Sequence, residues 1–241
     1  MPYFERDGIS LYYELHGEGF PVLLFAPGGM RSAIAVWQRG AYDPMQRLSD
    51  EFQLIAMDQR NAGQSRAPVR KGDGWQVYTE DHLALLDHLG VERCAVLGNC
   101  IGGSFGLGLI QAAPERVAAA VLQQPIGLTT ENRKLFFDMF DAWAKDLGER
   151  PDVDQDALAG FRQAMYGGDD FVFNVSKDFV KTVQTPLLIT LGNDPYHPSE
   201  TSRAIAALAP NAQLLERWKE PELVDDTVAK VRAFLREHAA L

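Results

Sequence analysis

Cysteine and histidine are scarce in this chain, with two and five in 241 residues. Cys94 and Cys100 fall on what reads as one extended strand, roughly 20 Å apart at about 3.3 Å per residue, too far to bridge. A disulfide scaffold is therefore excluded, and both thiols are expected to stay reduced. No apolar run approaches the roughly 20 residues of a membrane span, and Met1-Pro2-Tyr3-Phe4-Glu5-Arg6-Asp7 lacks the basic and apolar regions of a signal peptide. A cytoplasmic chain with no membrane partner is expected. Positive charge is also in deficit: the formal net charge of -10 argues against nucleic acid as a partner, because binding it needs a basic patch. Internal repeats and low-complexity tracts are absent.

What is present reads as strands alternating with helices. Residues 9–15 mix alternation with β-rich residues, as an antiparallel edge strand does, whereas 22–26 is a continuous apolar run suited to a central strand and ends at Pro27-Gly28-Gly29. A strand over 52–57 runs into a polar loop over 58–65. Helices are predicted over 37–48, despite Pro44, and over 78–89, stopped by Gly90. Further strands are expected over 117–122, 186–191 and 213–218, before a last helix over 223–238. This alternation predicts an α/β fold, a mostly parallel sheet flanked by helices, in one domain spanning 1–241.

The interval 126–185 is too long for a single crossover and predicts an insertion. Leu135, Phe136, Met139, Phe140 and Trp143 recur at helical spacing, as either core or a ligand wall, and the position suits a small helical lid. The acids among 149–156 read as a solvated loop. They lack the glycine and terminal glutamate of a calcium loop, and neither a metal nor another cofactor is expected.

The run Ala95-Val96-Leu97-Gly98-Asn99-Cys100-Ile101-Gly102-Gly103-Ser104 passes from a buried strand into a helix. Small residues around one nucleophile at such a turn relieve collisions that strained backbone angles would otherwise cause. A thiol at a helix N-terminus gains from unpaired amides and the helix dipole, which favour the attacking thiolate. The competing reading is a small buried hydrophobe, a frequent fate of free cysteine.

Several of these segments, in this order, resemble the α/β-hydrolase superfamily over nearly the whole chain outside the lid. The run from Gly98 to Gly103 resembles its nucleophile elbow, with cysteine in place of the usual serine, as in dienelactone hydrolases. Pro27-Gly28-Gly29 resembles its oxyanion loop, with proline for histidine. Residues 58–65 resemble its Asp-x-Arg-Gly-x-Gly-x-Ser turn, with Asn61 in a glycine slot. The resemblance implies an acid after the strand at 186–191, where Asp194 stands, and a histidine after the last strand. There Trp218-Lys219-Glu220-Pro221-Glu222-Leu223 contains none.

Among the histidines, His197 lies between prolines in Asp194-Pro195-Tyr196-His197-Pro198, at the sheet edge where α/β folds bind ligands. It is the candidate base; capping the next helix or lining the pocket is the alternative. His16, His82, His88 and His238 are placed elsewhere. Asp194 is the candidate orienter, with Glu200 and Glu80 as substitutes. The expected reaction is cleavage of a small ester, thioester or lactone through an acyl-enzyme at Cys100, with oxyanion donors at Ile101 and at Gly29 or Met30. Trp75, Tyr78, Phe136, Phe140 and Tyr196 are candidates for a partly apolar substrate pocket. The partner is then a small-molecule substrate, with homodimer formation left open. The missing histidine also admits a non-catalytic small-molecule receptor, and a lyase or carbon–carbon hydrolase remains compatible.

Overall fold

A computed structural model describes residues 3–239. Eight strands form one sheet in the order β1-β2-β4-β3-β5-β6-β7-β8. They are β1 (Tyr3–Arg6), β2 (Ile9–His16), β3 (Phe20–Phe25), β4 (Phe52–Met57), β5 (Cys94–Asn99), β6 (Val117–Gln123), β7 (Leu187–Thr190) and β8 (Ala212–Leu215). The pairings of β1 with β2 and of β2 with β4 are antiparallel, and all others are parallel. The continuous apolar runs make the centre: every residue of β5 and β6 is buried, as strands covered on both faces require.

The helices are α1 (Pro44–Leu48), α2 (Trp75–His88), α3 (Ile101–Ala112), α4 (Arg133–Leu147), α5 (Leu158–Tyr166), α6 (Lys177–Val180), α7 (Ser199–Leu208) and α8 (Val224–Ala239). The last two strands, β7 and β8, are reached through α4, α5 and α6, which fill the interval between β6 and β7. The α4 stripe is buried at Phe136, Phe140 and Trp143, while Leu135 and Met139 are half-buried.

Four boundaries differ from expectation. The edge strand β1 has no apolar signature and alternates between exposed and half-buried residues. The helix expected over 37–48 is divided into a 3₁₀ segment, Ile34–Arg39, and α1, because Gly40 is extended and Asp43 caps a new start before Pro44. Helix α2 begins at Trp75, one turn before the expected start. Strand β8 ends at Leu215, and Trp218 instead folds under β7, its indole Nε1 donating to Leu191 O at 2.9 Å. The acidic segment near 152 is not wholly solvated: Val153 is buried and Asp152 pairs with Arg150.

The loop after β4 is held from both sides. Asp58 accepts from the amides of Ile34 and Gln64, each at 2.7 Å. Asn61 takes the left-handed φ of 58° that its glycine-like slot demands. Arg60 makes a two-point contact with Asp81 of α2, 2.8 Å from Nε and 2.9 Å from an Nη. Both side chains are buried, 5% and 1% exposed, so removing one partner strands a charge in the interior. Arg60→Ala is expected to lower stability by about 3–5 kcal/mol, as buried pairs broken on one side do, read as a shifted urea midpoint.

Candidate active site

The turn from β5 into α3 is built by close approach. A Cβ at Gly98 would lie 2.2 Å from Gly102 O, and one at Gly102 would lie 2.4 Å from Phe25 O. Strand β3, the turn and the helix thus touch through backbone alone. Cys100, between them, has φ 62° and ψ -118°. A non-glycine residue held in such a conformation is strained, and the strain pushes its side chain out of the turn. Cys100 is accordingly only partly buried. Cys94, at the start of β5, is fully buried, and burial pushes its thiol up to about 12.

His197 and Asp194 both lie on the loop between β7 and α7. Asp194 Oδ1 accepts from the amides of Tyr196 and His197, at 2.9 and 3.1 Å, which folds the loop into a tight turn. The same carboxylate faces His197 Nδ1 at 2.9 and 2.8 Å from its two oxygens. A spacing of three residues is therefore enough to hold acid and imidazole together. Glu200 and Glu80 are exposed, and the partner of Nδ1 is Asp194. Helix α7 has no side-chain cap, so His197 does not serve there. Its Nε2 is buried without a hydrogen bond of ordinary geometry, and the ring and the Cys100 thiol each shift the other's protonation.

Burial alone would raise the Cys100 thiol. The hydrogen bond and charge of His197, joined by the backbone amides of Gly28 and Ile101, outweigh burial and lower it. For His197, burial acts downward, but Cys100 and Asp194 raise it overall. Asp194 is pushed up by burial and brought below its usual range by His197 and the two amides. All three directions favour a thiolate beside an imidazolium. The arrangement favours ionisation of the thiol below its ordinary range, with the amides of Gly28 and Ile101 beside the resulting charge.

Gly28 joins Ile101 at the sulfur, a role that residue identity did not single out. The other two loop candidates, Gly29 and Met30, follow it in the 3₁₀ turn Gly29–Arg31. Helix α4 lies on this turn: a Cβ at Gly29 would meet Met139 Sδ at 2.1 Å. The aromatic candidates divide into two groups. Tyr196 and Phe136 pack edge to face at 5.5 Å near His197. Trp75 and Tyr78 sit on Phe105 of α3 at 5.6 and 4.9 Å, and Phe140 packs between Trp143 and Phe161. A groove of about 750 Å³ lies along the outer side of Asp194, with Asn132, Leu135, Pro195 and Pro198 in its wall. It borders neither Cys100 nor His197 and is not the space in front of the thiol.

The other histidines stay apart from the sulfur. His82 is buried against Phe25, bonded to Gln59 at 2.7 Å, and burial drives it down to about 3. His16 pairs with Glu14, His88 packs on Phe4, and His238 packs on Phe234. In the loop after β8, Lys219 Nζ donates to Asn193 Oδ1 at 2.7 Å and Gln124 Oε1 at 2.9 Å. A lysine therefore braces the residue next to Asp194 from the loop expected to carry histidine. Among the described residues, no group of three or more histidine, cysteine or acidic side chains is placed to hold a metal, and no helix is long and apolar enough to cross a membrane.

The family model described as alpha/beta hydrolase fold matches residues 21–183. A 2-hydroxymuconate semialdehyde hydrolase of Pseudomonas putida is 26% identical over 257 aligned positions, covering 93% of this chain and 90% of that protein. RutD of Azorhizobium caulinodans, a proposed carbamate hydrolase, is 36% identical over 125 residues, which span 51% of this chain but only 43% of RutD. Among solved structures, the enol-lactonase of Burkholderia xenovorans LB400 aligns with a TM-score of 0.71 and 20% identity, over 98% of this chain and all of that one (100%).

The thiol can be titrated directly. The inflection for alkylation of Cys100 by iodoacetamide is expected at lower pH than for an ordinary thiol, because His197 and the amides of Gly28 and Ile101 outweigh burial and lower its pKa. In His197→Ala only burial and the amides remain, so the inflection should move up by a unit or more, about a tenfold slower reaction at pH 7. An unchanged profile would break the coupling described above.

Proposed function

We propose that this chain, which belongs to the α/β hydrolase fold family, is a thiol-dependent hydrolase that opens small activated esters, thioesters or lactones. Cys100 is the nucleophile, His197 the base and Asp194 its orienter. The observation that carries this reading is the His197 ring: Nδ1 is held by Asp194, Nε2 is buried and unpartnered, and the ring lowers the Cys100 thiol while the thiol raises the ring.

The thiolate of Cys100 attacks the carbonyl carbon, and the carbonyl electron pair moves onto oxygen. That oxyanion is met by the Ile101 amide and by the loop at Gly28, Gly29 and Met30, each donor lowering the barrier by a few kcal/mol in comparable sites. Collapse expels the alkoxide or thiolate, which takes the proton from His197 Nε2. Water, deprotonated by the same nitrogen, then attacks the thioester and returns Cys100. Because a thiolate is itself a good leaving group, the first step goes forward best when the other leaving group is activated, as in an aryl ester or enol-lactone. Tyr196 and Phe136 give the entrance an apolar flank, and helices α4 and α5 serve as its lid.

A second reading has its own support. The relative matching over 93% of this chain is named a 2-hydroxymuconate semialdehyde hydrolase, which points to carbon–carbon hydrolysis on the same three residues.

Turnover of p-nitrophenyl acetate decides between them. The ester reading expects release of p-nitrophenol that falls by about 10³-fold or more in Cys100→Ala and by a comparable factor in His197→Ala, since the residues act as a unit. Cys100-dependent loss of 2-hydroxymuconate semialdehyde absorbance with little ester turnover would favour carbon–carbon cleavage. Ester turnover equal in wild type and Cys100→Ala would remove the thiol from the reaction.

A further inference from the structure

Tyr166 closes α5 at the inner face of the lid. It is fully buried, and its hydroxyl has no hydrogen-bond partner. Buried hydroxyls are ordinarily paired, because leaving one unpaired costs free energy that tyrosine's apolar twin, phenylalanine, would avoid. The residue is nonetheless held in place. Arg133 Nη1 donates to Tyr166 O at 2.7 Å, and Trp75 Nε1 donates to the adjacent Met165 O at 2.8 Å. The ring packs on Phe136 at 5.4 Å and on Phe173 at 5.2 Å. A fixed ring with an idle donor at its tip is arranged for an acceptor that arrives from outside.

The direction of that acceptor follows from the order of rings. His197 neighbours Tyr196 at 6.3 Å, Tyr196 meets Phe136 at 5.5 Å, and Phe136 meets Tyr166. In the proposed reaction the leaving group takes its proton from His197 and so departs at that end of the row. Tyr166 stands at the other end, where burial first, and then the charges of Tyr78, Cys100 and Tyr196, raise its phenol. The phenol thus stays protonated and acts as a donor. An acceptor for this hydroxyl, away from the leaving-group end, would belong to the group that remains bonded to sulfur.

Resting on the acyl-transfer reading above, we infer that Tyr166 is a specificity-determining residue whose hydroxyl donates a hydrogen bond to an oxygen on the acyl group, outside the reacting carbonyl. The substrate class narrows accordingly to esters, thioesters or lactones whose acyl part carries a further carbonyl, ether or hydroxyl oxygen. A plain alkyl chain would leave the donor unpaired inside the complex. Sites built to bond a polar substrate group discriminate strongly against analogues lacking it.

An isosteric pair tests this: p-nitrophenyl methoxyacetate against p-nitrophenyl butyrate, compared in wild type and Tyr166→Phe. The variant is expected to lose about 10- to 100-fold in kcat/KM for the methoxyacetyl ester and little for the butyryl ester. Its Tm should be unchanged or raised, since no protein partner is lost, and Cys100 alkylation should keep its pH profile. Equal losses on both esters, or a lower Tm, would make the hydroxyl structural and overturn the inference; no loss on either would overturn it as well.

Binding separates this inference from the catalytic reading. The corresponding p-nitroanilides, N-(4-nitrophenyl)methoxyacetamide and N-(4-nitrophenyl)butyramide, are titrated calorimetrically into Cys100→Ala and into Cys100→Ala with Tyr166→Phe. A preference for the methoxy compound that disappears with the phenol sustains the role of Tyr166 even if no ester is turned over. Equal affinities throughout defeat it even if esters are hydrolysed.

Discussion

The backbone contact between Gly102 and the end of β3 governs everything that happens at the sulfur. With no side chain to separate them, α3 starts close against the central sheet, and the residue before it must turn through left-handed angles. Cys100 is thereby carried out of the interior that encloses Cys94, only six positions away at the start of β5. The two cysteines share a composition and a neighbourhood in sequence, yet burial drives one up to about 12 while the other is lowered by His197 and two amides that burial alone would not supply. The opposite shifts of the two thiols follow from the turn, not from the residue type.

Around this point the charges are arranged in series. The carboxylate of Asp194 is shaped by its own loop's amides before it meets the imidazole, and the imidazole meets the thiol. Lys219, from the loop after β8, secures Asn193 and Gln124 behind that series. The loop that the superfamily resemblance reserves for histidine therefore braces the Asp194–His197 turn from outside. On the opposite flank, α4 rests on the turn Gly29–Arg31 through Met139 and Gly29, so the insertion and this loop are packed as one surface.

Much of this was legible in the sequence where a pattern has one physical cause. Continuous apolar runs marked the central strands, glycines marked the elbow, and two prolines framed His197. Asn61 took its left-handed angle because few other residues tolerate it. What could not be read depended on reach or on partners. Strand β1 alternates between exposed and half-buried residues and carries no continuous apolar run. The helix expected over 37–48 failed because Gly40 and the Asp43 cap divide one periodic stretch into two starts. Gly28 contributes an amide, which every residue type except proline possesses, so nothing in its identity marks it. Tyr166 is distinguished only by a bond that its hydroxyl does not make.

The three-residue spacing of Asp194 and His197 also bears on how the site comes together as the chain folds. Loop-closure entropy grows with the length of chain that must be gathered, by about 0.6 kcal/mol per doubling. An acid and a base on separate loops would require two distant closures to complete the constellation. Here the carboxylate–imidazole contact forms within a single turn, and one long-range encounter, between the elbow and that turn, remains. The topological burden of assembling three residues is reduced to that of assembling two.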